Sequence, residues 1–122
     1  MRLTPGRSRL LSLLLMMFIV GLIAGAFAED QAVQIIKVTA RKFEYSPNVI
    51  SIKRGIPVIL EFTSLDRLHG FSCPDLGVRA DIFPGKVSQV RILVEKAGTY
   101  EFHCDIFCGE GHEGMTGTIV VE

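Results

Sequence analysis

The chain has 122 residues, enough for one domain or one small domain with an appendage, and too few for two full-sized ones. Its residues are 48% hydrophobic, which excludes a disordered chain. Thirteen Lys plus Arg balance thirteen Asp plus Glu, and that zero excludes a nucleic-acid binder that relies on a broad basic surface.

The first predicted element is a leader. Residues 1–28 hold Arg2, Arg7 and Arg9 and no acid, so the rest of the chain is mildly acidic. Residues 10–28 are an uncharged run of nineteen, closed by Ala26, Phe27 and Ala28, a small-x-small cleavage site ahead of Glu29. That is the pattern of a secretory signal peptide. The rival reading is an uncleaved membrane anchor, because a helix of this length spans roughly 28 Å, about the hydrocarbon thickness of a bilayer. Both readings keep the arginines cytoplasmic and export everything from Glu29 onward. The expected organisation is a signal peptide or single anchor over 1–28 and one exported domain over 29–122. That domain is periplasmic, or held at the outer face of the cytoplasmic membrane through residues 10–28.

From Glu29 onward, short segments with period-two alternation follow one another between Gly and Pro. Ile36, Val38 and Ala40 alternate with Lys37 and Thr39, and Ile50 and Ile52 with Ser51 and Lys53. Val58, Leu60 and Phe62 share one face, as do Val90, Ile92 and Val94. Tyr100, Phe102 and Cys104 share another, opposite Glu101, His103 and Asp105, and 116–121 is a final strand. No eleven-residue window after Ala28 carries a helical stripe. The pattern predicts an all-β sandwich or barrel.

Between the last two strands lies a Gly-rich loop with the spacing C-x3-C-x3-H-x2-M: Cys104, Cys108, His112 and Met115. Such a loop can fold several side chains onto one point. Thiolate, imidazole and thioether form a soft donor set that suits copper. A mononuclear blue-copper site needs one Cys and two His, so a second His is required. His69, at the end of a strand-like run, is the candidate. The second Cys exceeds the mononuclear need, and two thiolates at this spacing suit a bridged pair of copper ions. Two alternatives stand beside copper: a Cys104–Cys108 disulfide in an oxidising compartment, and a Cys2His2 zinc site, which has little use for Met115. His103 alternates to the opposite face and reads as a surface residue. Cys73 reads as a small buried hydrophobe, with Pro74 ending its strand.

These residues resemble the cupredoxin domain of cytochrome c oxidase subunit II, which carries the dinuclear CuA centre. The resemblance runs from about Phe43 to Val121. It includes Phe43 to Pro47, Gly55 to Val58, Thr63 to Asp66, His69 to Phe71, Leu76 to Val78, Phe83 to Pro84-Gly85, Gly98 to Tyr100 and the whole Cys104–Met115 loop. The segment from Cys108 to Val121 looks most like the ba-type, or B-family, subunits. The resemblance implies a cupredoxin-like Greek-key sandwich. It also implies that Cys104 and Cys108 bridge two coppers, His69 and His112 each cap one, and Met115 and the Ile106 carbonyl are weak axial ligands.

The sequence departs from the family at three places. Ile106 stands where Glu or Gln is common. No Trp is present to receive electrons from cytochrome c, and Phe43 and Tyr45 are the nearest substitutes. A single hydrophobic segment precedes the domain.

The leading expectation is one-electron transfer from a cytochrome c or cupredoxin donor to a respiratory oxidase or reductase. Other readings are a minimal subunit II of a haem-copper cytochrome c oxidase, a periplasmic copper carrier or metallochaperone, and a structural zinc module. No acid–base pair is recognisable, so catalysis by the chain alone is not expected.

Overall fold

The computed structural model describes residues 32–122, and the leader expected over 1–28 lies outside them. The described residues form nine strands: β1 (Gln34–Arg41), β2 (Glu44–Ser46), β3 (Val49–Ile52), β4 (Val58–Ser64), β5 (His69–Cys73), β6 (Val78–Ile82), β7 (Ser88–Ile92), β8 (Gly98–His103) and β9 (Thr116–Val121). Two 3-10 turns, Pro74–Leu76 and His112–Gly114, complete the elements. Among the described residues no helix is long and apolar enough to cross a membrane.

One sheet has the order β2-β1-β4-β7 and the other β3-β9-β8-β5-β6. The chain changes sheet repeatedly, as a Greek-key sandwich requires, so the β-sandwich expectation holds. Two pairs, β1 with β4 and β3 with β9, are parallel.

The alternating residues face inward as the pattern requires. In β4, Val58, Leu60, Phe62 and Ser64 are buried and the residues between them are not. Val38, Ala40, Ile50, Ile52, Val90, Ile92 and Phe102 join them in one core. A fully buried side chain of this size stabilises by about 1.5–3 kcal/mol. Four aromatic rings cross between the sheets. Phe62 meets Phe71 at 4.5 Å between centroids, Phe71 meets Phe102 at 5.2 Å, and Phe102 meets Tyr45 edge-on at 5.0 Å. This row ends at the loops that carry the candidate ligands.

Cys73 is fully buried and free at the end of β5, where Pro74 stops the strand, as the sequence suggests. His69 lies at the start of a strand, whereas the sequence reading put it at the end of one. The residues before it bend because Asp66 accepts hydrogen bonds from the Lys42 and Arg67 backbone N–H groups, at 2.8 and 2.7 Å. Such side-chain bonds to the backbone compete with strand extension.

Candidate metal centre

Three loops meet at one end of β8 and β9. The turn at Lys42–Phe43 follows β1, residues 65–68 follow β4, and the loop from Cys104 to Met115 joins β8 to β9. The first two are tied by the bond from Leu65 N to Ala40 O (2.9 Å) and by Asp66 on Lys42 N. The third packs on the first: the Phe43 ring lies against Gly109 and Gly111. Gly111 has φ 99°, and a Cβ there would approach Phe43 to 3.0 Å, so both the turn into His112 and the close ring demand glycine.

The structure gathers three of the expected ligands most tightly. One ring nitrogen of His69 and the Sγ atoms of Cys104 and Cys108 all lie within 4.8 Å of one another, and all three residues are buried. The two sulfurs are 3.9 Å apart and both thiols are free, so no disulfide joins them here. The other three residues are arranged around this cluster. His112 Nδ1 is 3.7 Å from Cys108 Sγ. The Ile106 carbonyl accepts from Cys104 Sγ at 3.2 Å. Met115 is fully buried, and its carbonyl accepts from the Cys104 N–H at 3.0 Å. His103 stays outside the cluster, half-buried at the end of β8.

Electrostatics sets the tautomer of His69. Its Nε2 is 2.7 Å from Asp66 Oδ1. Burial raises the Asp66 pKa, but the Lys42 N–H, the His69 ring and the Arg67 N–H lower it more, and the net result is well below the usual carboxylate range. An ionised carboxylate can only accept, so Nε2 carries the proton. The other ring nitrogen, Nδ1, is a buried atom with no hydrogen-bond partner. A carboxylate fixing one nitrogen of a histidine whose other nitrogen is free is the arrangement found behind metal-bound imidazoles.

Burial, followed by the neighbouring Cys104 sulfur, pushes the Cys108 thiol up to about 11. A thiol crowded by a second sulfur in an apolar shell resists ionisation until a cation stands beside it. Cys104 Sγ also accepts the Gly70 N–H at 3.3 Å. The Gly70 carbonyl in turn accepts from the Tyr45 hydroxyl at 2.6 Å. Burial, then the charge of Cys104, raises the Tyr45 pKa far above its ordinary value, so the phenol remains a donor. Gly70 is also tightly enclosed, because a Cβ there would collide with the Asp105 carboxylate.

Tyr45 therefore does not stand in for the missing surface Trp. It is buried beneath the ligands, and the correction follows from its place on the inward face of the short strand β2. Phe43 is half-buried. The exposed aromatic beside the cluster is Phe107, 76% accessible, which sequence reasoning passed over. Asp66, Arg67 and the Arg79–Asp105 pair were also missed as supports. Their contacts join residues that local spacing does not connect, except Asp66, whose three-residue offset from His69 was a usable signal.

An orphaned imidazole nitrogen facing two buried thiols is a donor set in need of a metal, and the softness of sulfur and imidazole fits copper. Cys104, Cys108 and His69 would hold it, with His112 completing the set.

Comparison with known proteins agrees. The sequence model of the cupredoxin-like domain family matches residues 11–121. Cytochrome c oxidase subunit 2 of Thermus thermophilus is 39% identical over 85 residues, covering 70% of this chain and 63% of that relative. The chain thus spans less than two thirds of that protein's length. A solved haem-copper terminal oxidase dimer contains a chain that superposes with a TM-score of 0.66 at 26% identity, covering 95% of this chain and 97% of that one. The periplasmic domain of subunit II of cytochrome oxidase from Bradyrhizobium japonicum superposes with a TM-score of 0.69 at 21% identity, covering 73% and 83%. The chain belongs to the cupredoxin-like family.

Proposed function

We propose that this cupredoxin-like chain is an exported electron carrier built around a dinuclear copper centre of the CuA kind. The reading rests chiefly on the buried Cys104–Cys108 pair facing the unpartnered nitrogen of His69. Cys104, Cys108, His69 and His112 would hold the copper, with Met115 and the Ile106 carbonyl as further donors beside them. When bound, the copper pair supplies a one-electron couple.

The protein's own part is to hold still. His69 is fixed by Asp66, Cys104 by the Gly70 N–H, and the loop by bonds within itself and by the Arg67 side chain on the Cys108 carbonyl. Ligands fixed by the fold need little rearrangement when an electron arrives or leaves. The apolar shell of Phe71, Phe102 and Met115 keeps water away.

Residues 1–28 carry out export or anchoring, which leaves the domain on the outer side of the cytoplasmic membrane. The donor is a cytochrome c or another cupredoxin, and the acceptor a respiratory oxidase or reductase. A second reading, subunit II of a haem-copper oxidase, is favoured by the likeness to the oxidase chain along nearly all of both sequences. Co-purification with a large membrane subunit would select it.

The test is a count. Metal analysis of the copper-loaded protein should give two coppers per chain, and a reductive titration one electron per chain. One readily exchanged copper would indicate a copper carrier, and zinc uptake without copper would indicate a structural module.

A further inference from the structure

Arg67 stands apart from the other arginines near the site. Arg79 is neutralised by Asp81 and Asp105, and Arg41 by Glu44. Among the described residues no carboxylate forms a salt bridge with Arg67. Its Nη1 instead donates to the Cys108 carbonyl at 3.0 Å, across 41 positions of sequence. The guanidinium thus brings an uncompensated positive charge to the main chain of a candidate bridging ligand. Lys42, the other cation on this side, lies over the Phe43 ring and makes no bond to the ligand loop. The neighbouring carboxylate, Asp66, is occupied by His69 and two backbone donors.

We propose that Arg67 is a positioning and charge-tuning residue of the copper centre, holding the Cys108 backbone and favouring the reduced state. The inference rests on the copper reading above. A centre that takes up one electron gains one negative charge, and a fixed cation close by stabilises that form. The guanidinium suits the role because its charge is permanent and its rigid fork fixes direction. Because Arg67 is exposed, solvent and salt weaken the effect without abolishing it.

The experiment measures the midpoint potential and visible spectrum of the copper-loaded protein for wild type, Arg67→Gln and Arg67→Lys, at low and high salt. The expected result is a lower potential for Arg67→Gln, a near-normal one for Arg67→Lys, and a gap between wild type and Arg67→Gln that narrows as salt rises. The spectrum stays unchanged throughout. Arg67→Met, neutral and of similar reach, repeats the neutral arm should Arg67→Gln fail to fold. An unchanged potential in the neutral variants would overturn the proposal. So would an equal, salt-independent fall in Arg67→Lys and Arg67→Gln, which would mark a role in fit alone. If wild type binds no copper pair, the copper reading and this proposal fall together. If it does and the neutral variants do not shift, only the role of Arg67 is lost.

Discussion

The candidate centre has two unlike halves. On the strand side, His69 opens β5 and Cys104 directly follows β8. Both are buried, and each has a hydrogen-bond partner fixed by the fold: Asp66 for His69 and the Gly70 N–H for Cys104. On the loop side, Cys108 and His112 sit in a segment whose order rests on a 3-10 turn, the Phe43 ring and the Arg67 bond. His112 is half-buried, and its ring nitrogen is 3.7 Å from the nearest sulfur. The difference teaches that a candidate metal site can draw on two kinds of support: one half is set by the core, and the other by a loop and the few side chains that tie it down.

Removing the core beneath the strand side should have the largest effect. Phe102→Ala is expected to cost about 3–5 kcal/mol of stability, read by denaturant unfolding of the metal-free protein. Gly70→Ala comes next, about 1–3 kcal/mol by analogy with overpacked sites, because its Cβ displaces the Asp105 carboxylate from Arg79 and crowds the Asp105 backbone. A stable Gly70→Ala protein with unaltered copper spectra would show that the strand side is softer than described. Asp66→Ala should weaken copper binding about 10–100-fold, as loss of a carboxylate behind a metal-bound histidine does. A competition assay with a chelator reads that loss, and an unaltered affinity would show that Asp66 does not orient His69. The smallest stability effect belongs to the loop side: Phe107→Ala should change unfolding by no more than about 0.5 kcal/mol. Hydrogen exchange sharpens the same contrast. The amides of Gly70 and Cys104, bonded inside the fold, should be protected in the metal-free protein. Those of 109–111 should exchange quickly until copper is added. Equal protection on both sides would erase the distinction between the halves.

How much of this is legible in the sequence follows the same division. The inward faces of β1, β3, β4, β7 and β8 are written in alternation, since a strand with one buried face must place apolar residues at every second position. The candidate loop ligands are legible because four soft donors fall within twelve residues. β2 is only three residues long, too short to show a period, and Tyr45 is misread as a surface aromatic for that reason. The parallel pairings of β1 with β4 and β3 with β9 join distant segments, and no local pattern encodes them. The supports behind the ligands are hidden likewise. Arg67 reaches Cys108 and Arg79 reaches Asp105 only once the strands are assembled.

The most direct measurement of the central claim is the electron paramagnetic resonance spectrum of the copper-loaded protein. An unpaired electron shared by two coppers gives more, and narrower, hyperfine lines than one confined to a single ion. The shared pattern is the expected result. A localised pattern would contradict the dinuclear centre and leave Cys104, Cys108 and His69 holding a single metal.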